Sequence, residues 1–227
     1  MNNVQDVQSD NLKQAYELAY QNACNDFCRW DPLDMAVSSG SHFETATQNF
    51  FLTYTNEEYK ISFPAGKVLY AAKTESVPTT IKIILLHYLI RASGRSLRNQ
   101  WISFREIPEG GLIYFQSFSN RVINYLLSVF GKKPAMLLKA GTALGGTEFS
   151  CGDYGVQINV LPRLPVVFGL WSGDEEFLPR ATVLFDATAP QYLPTEDLVV
   201  ATAYCAGKLT KICKALEEQQ KIADRQR

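Results

Sequence analysis

Three acidic residues stand together at Asp174, Glu175 and Glu176, after an apolar run that ends at Trp171 and the turn-forming pair Ser172-Gly173. Strand ends are where folds present side chains for binding and catalysis. Like charges this close repel unless a cation sits among them, and Arg163, Arg180 or a divalent metal could be that cation. Asp186 closes the next run, ATVLFD. The chemistry this spacing allows is an oxygen-rich cation site formed by Asp174, Glu176 and Asp186, with Asp153 as a further carboxylate, acting on a small substrate. The competing explanation is a solvated hairpin turn, because Asp and Glu are common in turns. Glu196 and Asp197 have a structural explanation of their own, as acids in the first turn of a helix.

A second set of residues suits a flat ligand better than an ion. The segment GTALGGTEFSCGDYG, Gly141 to Gly155, is the most glycine-dense in the chain, and Gly145 and Gly146 at its centre allow close approach of backbone to a ligand. It lacks the Gly-Lys-Ser/Thr of a phosphate-binding loop and the spacing of a dinucleotide fingerprint. Cys151 in the same segment is either a thiolate ligand or an incidental free thiol. Arg105 lies among aromatics in WISFREIPEGGLIYFQSF, where it can bind a carboxylate or phosphate, or pair with Glu106 or Glu109. Only two histidines exist, His42 and His87. His87 sits inside an apolar run, which suits a buried neutral imidazole or a ligand or proton carrier. Cys24 and Cys28 share a helical face but have too few partners for a zinc site, and no Gly-x-Ser-x-Gly elbow is present. The cofactor-binding set is therefore His87, Trp101, Arg105, Gly145, Gly146, Cys151, Asp153 and Trp171. Aromatics with one or two ligating side chains point to a flat macrocycle such as haem or a corrinoid.

The elements that must position these residues follow from periodicity. A helix is expected over about 9–28, capped by Ser9 or Asp10, with Leu12, Tyr16, Ala19, Tyr20 and Ala23 on one face. The stretch 29–42 breaks that pattern at Pro32 and Gly40. NFFLTYTNEEYKISF reads as a hairpin around Thr55-Asn56-Glu57-Glu58, without the preferred Asn-Gly turn. A helix that is apolar nearly all round starts at Pro78 and stops before Gly94. WISFREIPEGG reads as a short strand and turn. Two helices follow, one closed by Gly131 and one begun by Pro134 and broken at Gly141. GVQINVLPRLPVVFGLW and RATVLFDAT are β-branched and aromatic, hence strands. A long helix opens at Pro194 and ends in a polar stretch expected to fray over about 215–227. The order predicts an α+β fold, a mostly antiparallel sheet packed by a central apolar helix, in a single domain spanning 1–227.

Totals exclude whole classes. With 227 residues, 46% hydrophobic and 20% charged, the chain can bury a sizeable core, which excludes disorder for most of it. A net charge of −1 from mixed acids and bases gives no footprint for nucleic acid. No apolar run approaches the ~20 residues a membrane span needs, and the N-terminus lacks a signal h-region, so a cytoplasmic location is expected. Five cysteines, an odd number, do not form a disulfide framework.

The stretches LLHYLIRASGRSLRNQWISFREIPEGGLIY, LGGTEFSCGDYG and Pro162 to Leu198 resemble the uncharacterised prokaryotic domain-of-unknown-function family 3786, over essentially all of the chain after its first helix. The resemblance implies an anaerobe-enriched family, some members of which carry an iron–sulfur domain of the corrinoid-protein type ahead of this region. It implies tetrapyrrole, corrinoid or one-carbon metabolism, with an iron–sulfur or corrinoid protein as a partner. This chain lacks the cysteine-rich cluster motif, so an iron–sulfur cluster is not expected in it. Two functions are carried forward: binding or handling of a tetrapyrrole-like cofactor, and a divalent-metal enzyme using the strand-end carboxylates. A non-catalytic interaction module is the third.

Overall fold

The computed structural model describes residues 2–225, with side chains from Asn11 onward. The cap expected at Ser9 or Asp10 lies outside the described side chains. The chain forms two compact units, Met1–Arg95 and Ser96–Arg227. The architecture is α+β and every named strand pairing is antiparallel, as the patterns predict, with the strands divided between two sheets. None of the described helices is long and apolar enough to cross a membrane.

The first unit runs α1 (Asn2–Phe27), α2 (Pro32–Ser39), β1 (His42–Glu44), β2 (Asn49–Tyr54), β3 (Glu57–Ser62), β4 (Lys67–Tyr70) and α3 (Thr79–Arg91), with its strands in sequence order. Helix α2 occupies the stretch that Pro32 and Gly40 are expected to break. Asp31 caps it, its carboxylate accepting from the Leu33 and Asp34 amides at 2.8 and 3.0 Å. Pro32 is its first residue, and Gly40 closes it at φ 72°. These residues are boundary signals for a short helix. The core gathers Phe27, Phe43 and Phe50, each at most 9% exposed, with Phe27 and Phe50 ring centres 5.7 Å apart. The apolar α3 packs on α1 and α2, and the buried Tyr88 hydroxyl donates to the Ser39 carbonyl at 2.7 Å.

The β2–β3 hairpin turns through Thr55 and Asn56, at φ 48° and 58°. Both positions demand left-handed backbone, which a β-branched threonine resists. Replacing Thr55-Asn56 by Asn-Gly is expected to raise stability by about 1 kcal/mol, because this turn type favours that pair. Urea unfolding with an unchanged m-value would measure it. A fall in midpoint would mean that the fully buried Thr55, whose hydroxyl donates to the Tyr54 carbonyl, matters more than its backbone.

The second unit runs β5 (Trp101–Ser103), a 3₁₀ turn (Phe104–Glu106), α4 (Gly111–Phe118), a π turn (Ser119–Ile123), α5 (Asn124–Phe130), α6 (Ala135–Ala143), β6 (Thr147–Glu148), β7 (Tyr154–Leu161), β8 (Leu164–Trp171), β9 (Arg180–Asp186), a 3₁₀ turn (Ala189–Gln191) and α7 (Thr195–Arg225). Its sheet has the order β5-β9-β8-β7-β6. Helix α6 lies on β7 because Gly141 has no side chain: a β-carbon there would sit 2.5 Å from a Val156 methyl. Helix α7 is buried along one side to Cys213 and stays helical to Arg225, with Lys133 paired to Glu217.

Candidate functional site

Strand register decides which side chains share a face, since alternate residues point the same way. Trp101 pairs with Asp186, Phe185 with Val166, Thr182 with Gly169 and Arg180 with Trp171. Trp101, Thr182, Gly169 and Trp171 therefore lie on one face. Ala181, Val183 and Phe185 lie on the other.

On the first face the glycine-rich segment folds back over the sheet. The Phe149 amide donates to the Gly155 carbonyl at 2.9 Å, and the Asp153 amide donates to the Leu170 carbonyl at 2.8 Å. Gly155 and Gly169 make room for this crossing: a β-carbon on Gly169 would stand 2.5 Å from Cys151 Sγ, and one on Gly155 would be 2.7 Å from the Cys151 carbonyl oxygen. Trp101 meets Phe149 edge to face at 5.1 Å. Trp101 and Cys151 are thus neighbours of one loop. Burial pushes the Cys151 thiol pKa up, away from the thiolate that a metal or an electrophile would meet. The Asp153 carboxylate accepts the Ser172 amide at 2.7 Å and so holds the end of β8. Trp171, 40% exposed, stands at that end. Gly145, at φ 85°, and Gly146 turn the chain from α6 into β6, and a β-carbon on Gly146 would lie 2.8 Å from the Gln157 carbonyl. Left-handed backbone accounts for Gly145, and close packing against β7 accounts for Gly146.

On the second face lies a cleft of about 260 Å³. Its walls are Phe104, Phe115, Phe118 and Ile123 from the helical side and, from β9, the side chains of Ala181 and Val183 with the strand at Thr182 between them. Phe104 and Phe118, both buried, stack with ring centres 4.1 Å apart and planes 5° apart, so this wall is a continuous aromatic surface. Arg105 stands at the mouth with its guanidinium carbon 3.8 Å from the Phe115 ring centre. Stacking leaves the edge of the guanidinium, with its N–H groups, free to bind. Neither expected partner takes it: Glu106 instead accepts from the Ser103 amide and hydroxyl, both at 2.7 Å, and among the described residues Arg105 makes no ion pair. Those two hydrogen bonds hold the Glu106 carboxyl below the usual carboxylate range. An apolar slot with an unpaired cation at its mouth suits an anionic, flat or hydrophobic ligand.

Comparison with known families bears on the same segment. A family model described as Domain of unknown function (DUF3786) matches residues 31–208, more than three quarters of the chain. The chain belongs to this family. No curated protein and no solved structure matches it. The DUF3786 segment runs from the cap of α2 into α7 and contains every residue of the cleft.

The remaining expected residues of the DUF3786 domain do not meet at the cleft. Asp174 closes a turn: its carboxylate accepts the Glu176 and Phe177 amides at 2.9 and 2.7 Å, and its amide donates to the Phe177 carbonyl. Glu175, Glu176 and Arg180 are exposed beside it. Asp186 sits at the far end of β9, about 20 Å along the strand from Arg180 at ~3.3 Å per residue, so it is not brought together with Asp174 and Glu176. It is 1% exposed and accepts four hydrogen bonds, from the amides of Arg98, Asn99 and Thr188 and the Thr188 hydroxyl, at 3.2, 2.6, 2.9 and 2.6 Å. Burial alone pushes its pKa up; the four donors outweigh that and hold it below the usual range. Among the described residues no group of three or more His, Cys, Asp or Glu side chains is placed to share a metal ion. His87 is half-buried on α3 of the first unit.

Arg105 is the one member of the expected set that lines the cleft. Phe115, Phe118 and Ile123 are not in that set, because they read as ordinary helix positions. Of the three, only Phe118 carries a sequence signal, as the first residue of the buried stripe Phe118, Val122, Leu126 and Phe130, which repeats every four residues.

Proposed function

We propose that this DUF3786 domain binds a planar, carboxylate-bearing small molecule at the Arg105 cleft, and that the ligand class is a tetrapyrrole or corrinoid. The observation that carries the reading is the Arg105 guanidinium stacked on Phe115 with its edge unpaired over an aromatic slot. Arginine in this setting recognises a carboxylate by two parallel hydrogen bonds. The slot, about 260 Å³, is below the ~300–1,000 Å³ of pockets that enclose a drug-sized ligand. It admits one edge or substituent of a macrocycle and leaves the rest of the ring outside the slot.

Titration of the full chain with hemin, whose edge carries propionates, and with cobalamin, whose edge is amidated, tests this by absorbance. A shifted Soret band is expected with hemin. Arg105→Ala should weaken binding about tenfold or more, roughly the 1.4 kcal/mol of a charge-assisted contact. Arg105→Lys should fall between, having a charge but no planar fork. Thermal stability of both variants should stay within ~0.5 kcal/mol of the parent, as for an exposed side chain. Neither spectral shift nor co-elution with either macrocycle would remove the reading.

A further inference from the structure

The helical segment from Gly111 to Phe130 is interrupted by the π turn Ser119–Ile123, closed by the Asn124 amide donating to the Ser119 carbonyl five residues back. On either side the helix is regular. Phe118, Val122, Leu126 and Phe130 are each at most 1% exposed. In an uninterrupted α-helix, at ~100° per residue, Phe118 and Phe130 would stand about 120° apart around the axis. One residue absorbed in a wide turn reduces that to about 20°, so both face inward. The same alignment would result if the chain were one residue shorter and the helix regular. The extra residue is therefore not required to align the buried stripe. What it does change is local: the last residue before the turn, Phe118, and its final residue, Ile123, both form the wall of the Arg105 cleft. The far wall is the fixed strand β9, and the start of α4 is pinned, since a β-carbon on Gly111 would press into the Phe104 carbonyl and stand 2.9 Å from that of Arg105. A widened turn between a pinned start and a buried stripe bulges its backbone beside the cleft. Such single-turn insertions are rare and concentrate at functional sites.

We infer that the extra residue of the π turn is held for binding: it shapes the Arg105 cleft to accept an aromatic anion, and the fold does not need it. This deepens the function proposed above, resting on the same cleft but not on the macrocycle class.

The test is deletion of Asn120, an exposed residue of the turn whose amide oxygen accepts only from the Gln116 and Asn124 side chains. The probe is 1-anilinonaphthalene-8-sulfonate, an aromatic anion, read by fluorescence on the folded full chain. A second variant, Ile123→Trp, fills the cleft without altering the helical register. The shortened chain is expected to melt at or above the parent temperature and to bind the probe at least tenfold more weakly. Ile123→Trp should also lose the probe. A deletion variant that fails to fold, or melts several degrees lower, overturns the inference by showing that packing needs the residue. Parent-like probe binding by either variant overturns it too, as does a parent chain that does not bind the probe. Probe binding that follows these expectations while hemin is ignored would retain the π turn's role and remove only the macrocycle.

Discussion

Asp186→Ala is expected to cost about 3–5 kcal/mol, a large share of the ~5–15 kcal/mol that holds a domain folded. The carboxylate accepts three backbone amides and one hydroxyl at 2.6–3.2 Å and is 1% exposed. Alanine leaves those donors without an acceptor in a site closed to water, and a hydrogen bond to a charged group contributes about 1.5–3 kcal/mol. Asn99, at φ 55°, is in left-handed backbone and has its amide bonded to this carboxylate, so its conformation should be released as well. Asp186→Asn retains one accepting oxygen of the two and should cost less. The pH dependence has a defined sign. The folded carboxyl titrates below its unfolded value of about 3.9, so its contribution is complete above that pH and is lost as pH falls through the folded value. Denaturant midpoints measured between pH 7 and pH 3 should fall more steeply for the parent than for Asp186→Asn at the acid end. Equal slopes, or an Asp186→Ala protein as stable as the parent, would show that the clasp is not a stabilising element.

Asp186 shows how far sequence carried and where it stopped. Its position at the end of a β-branched run was readable, and β9 ends at that residue. Its partners were not, because Arg98 and Asn99 lie far off in sequence and contribute backbone amides, which have no residue type to recognise. Alternation and turn residues made most elements visible: the β2–β3 hairpin, the apolar α3, the long strands β7 and β8, and α7 after Pro194. Helix α2 was hidden although Asp31, Pro32 and Gly40 are its boundary residues, since proline and glycine fit an irregular loop equally well. The carboxylates at 174–176 stood out for their charge. A turn needs an acceptor for its free amides, and Asp174 supplies one.

The cleft was half legible for a similar reason. An arginine between aromatics suggests a ligand, and Arg105 does stack on an aromatic ring. The residues expected around it from sequence lie on two faces, because face depends on strand register and register depends on partners distant in sequence. Cys151 and Trp101 share one face with the glycine-rich loop, while Arg105 opens onto the other. The four-residue spacing from Phe118 to Phe130 does carry information about the π turn, since a period of 4.0 exceeds the 3.6 of a regular helix.

Gly155→Val should test the glycine-rich crossing most severely. A valine there drives a branched side chain into the backbone of Phe149 and Cys151, with even the first carbon 2.7 Å from the Cys151 carbonyl and 3.0 Å from its amide. Backbone cannot yield as a flexible side chain would, so the loop must lift, and overpacking of this kind costs about 3 kcal/mol. Lifting the loop also separates Phe149 from Trp101 and withdraws Cys151 from the sheet. The thiol pKa, raised by burial, should then relax toward its ordinary value, so more thiolate forms near pH 8. The variant should therefore unfold at lower denaturant and react faster at Cys151 with a thiol reagent, counted by mass spectrometry at that cysteine under conditions where the chain is still folded. Cys205, fully buried on α7, should stay slow and serves as the internal control. Loss of stability without a faster Cys151 would mean that the sheet yields beneath the loop and the glycines serve the strand rather than the crossing. An unchanged protein would mean that the loop has room to shift, and the close approach at Gly155 would carry no constraint.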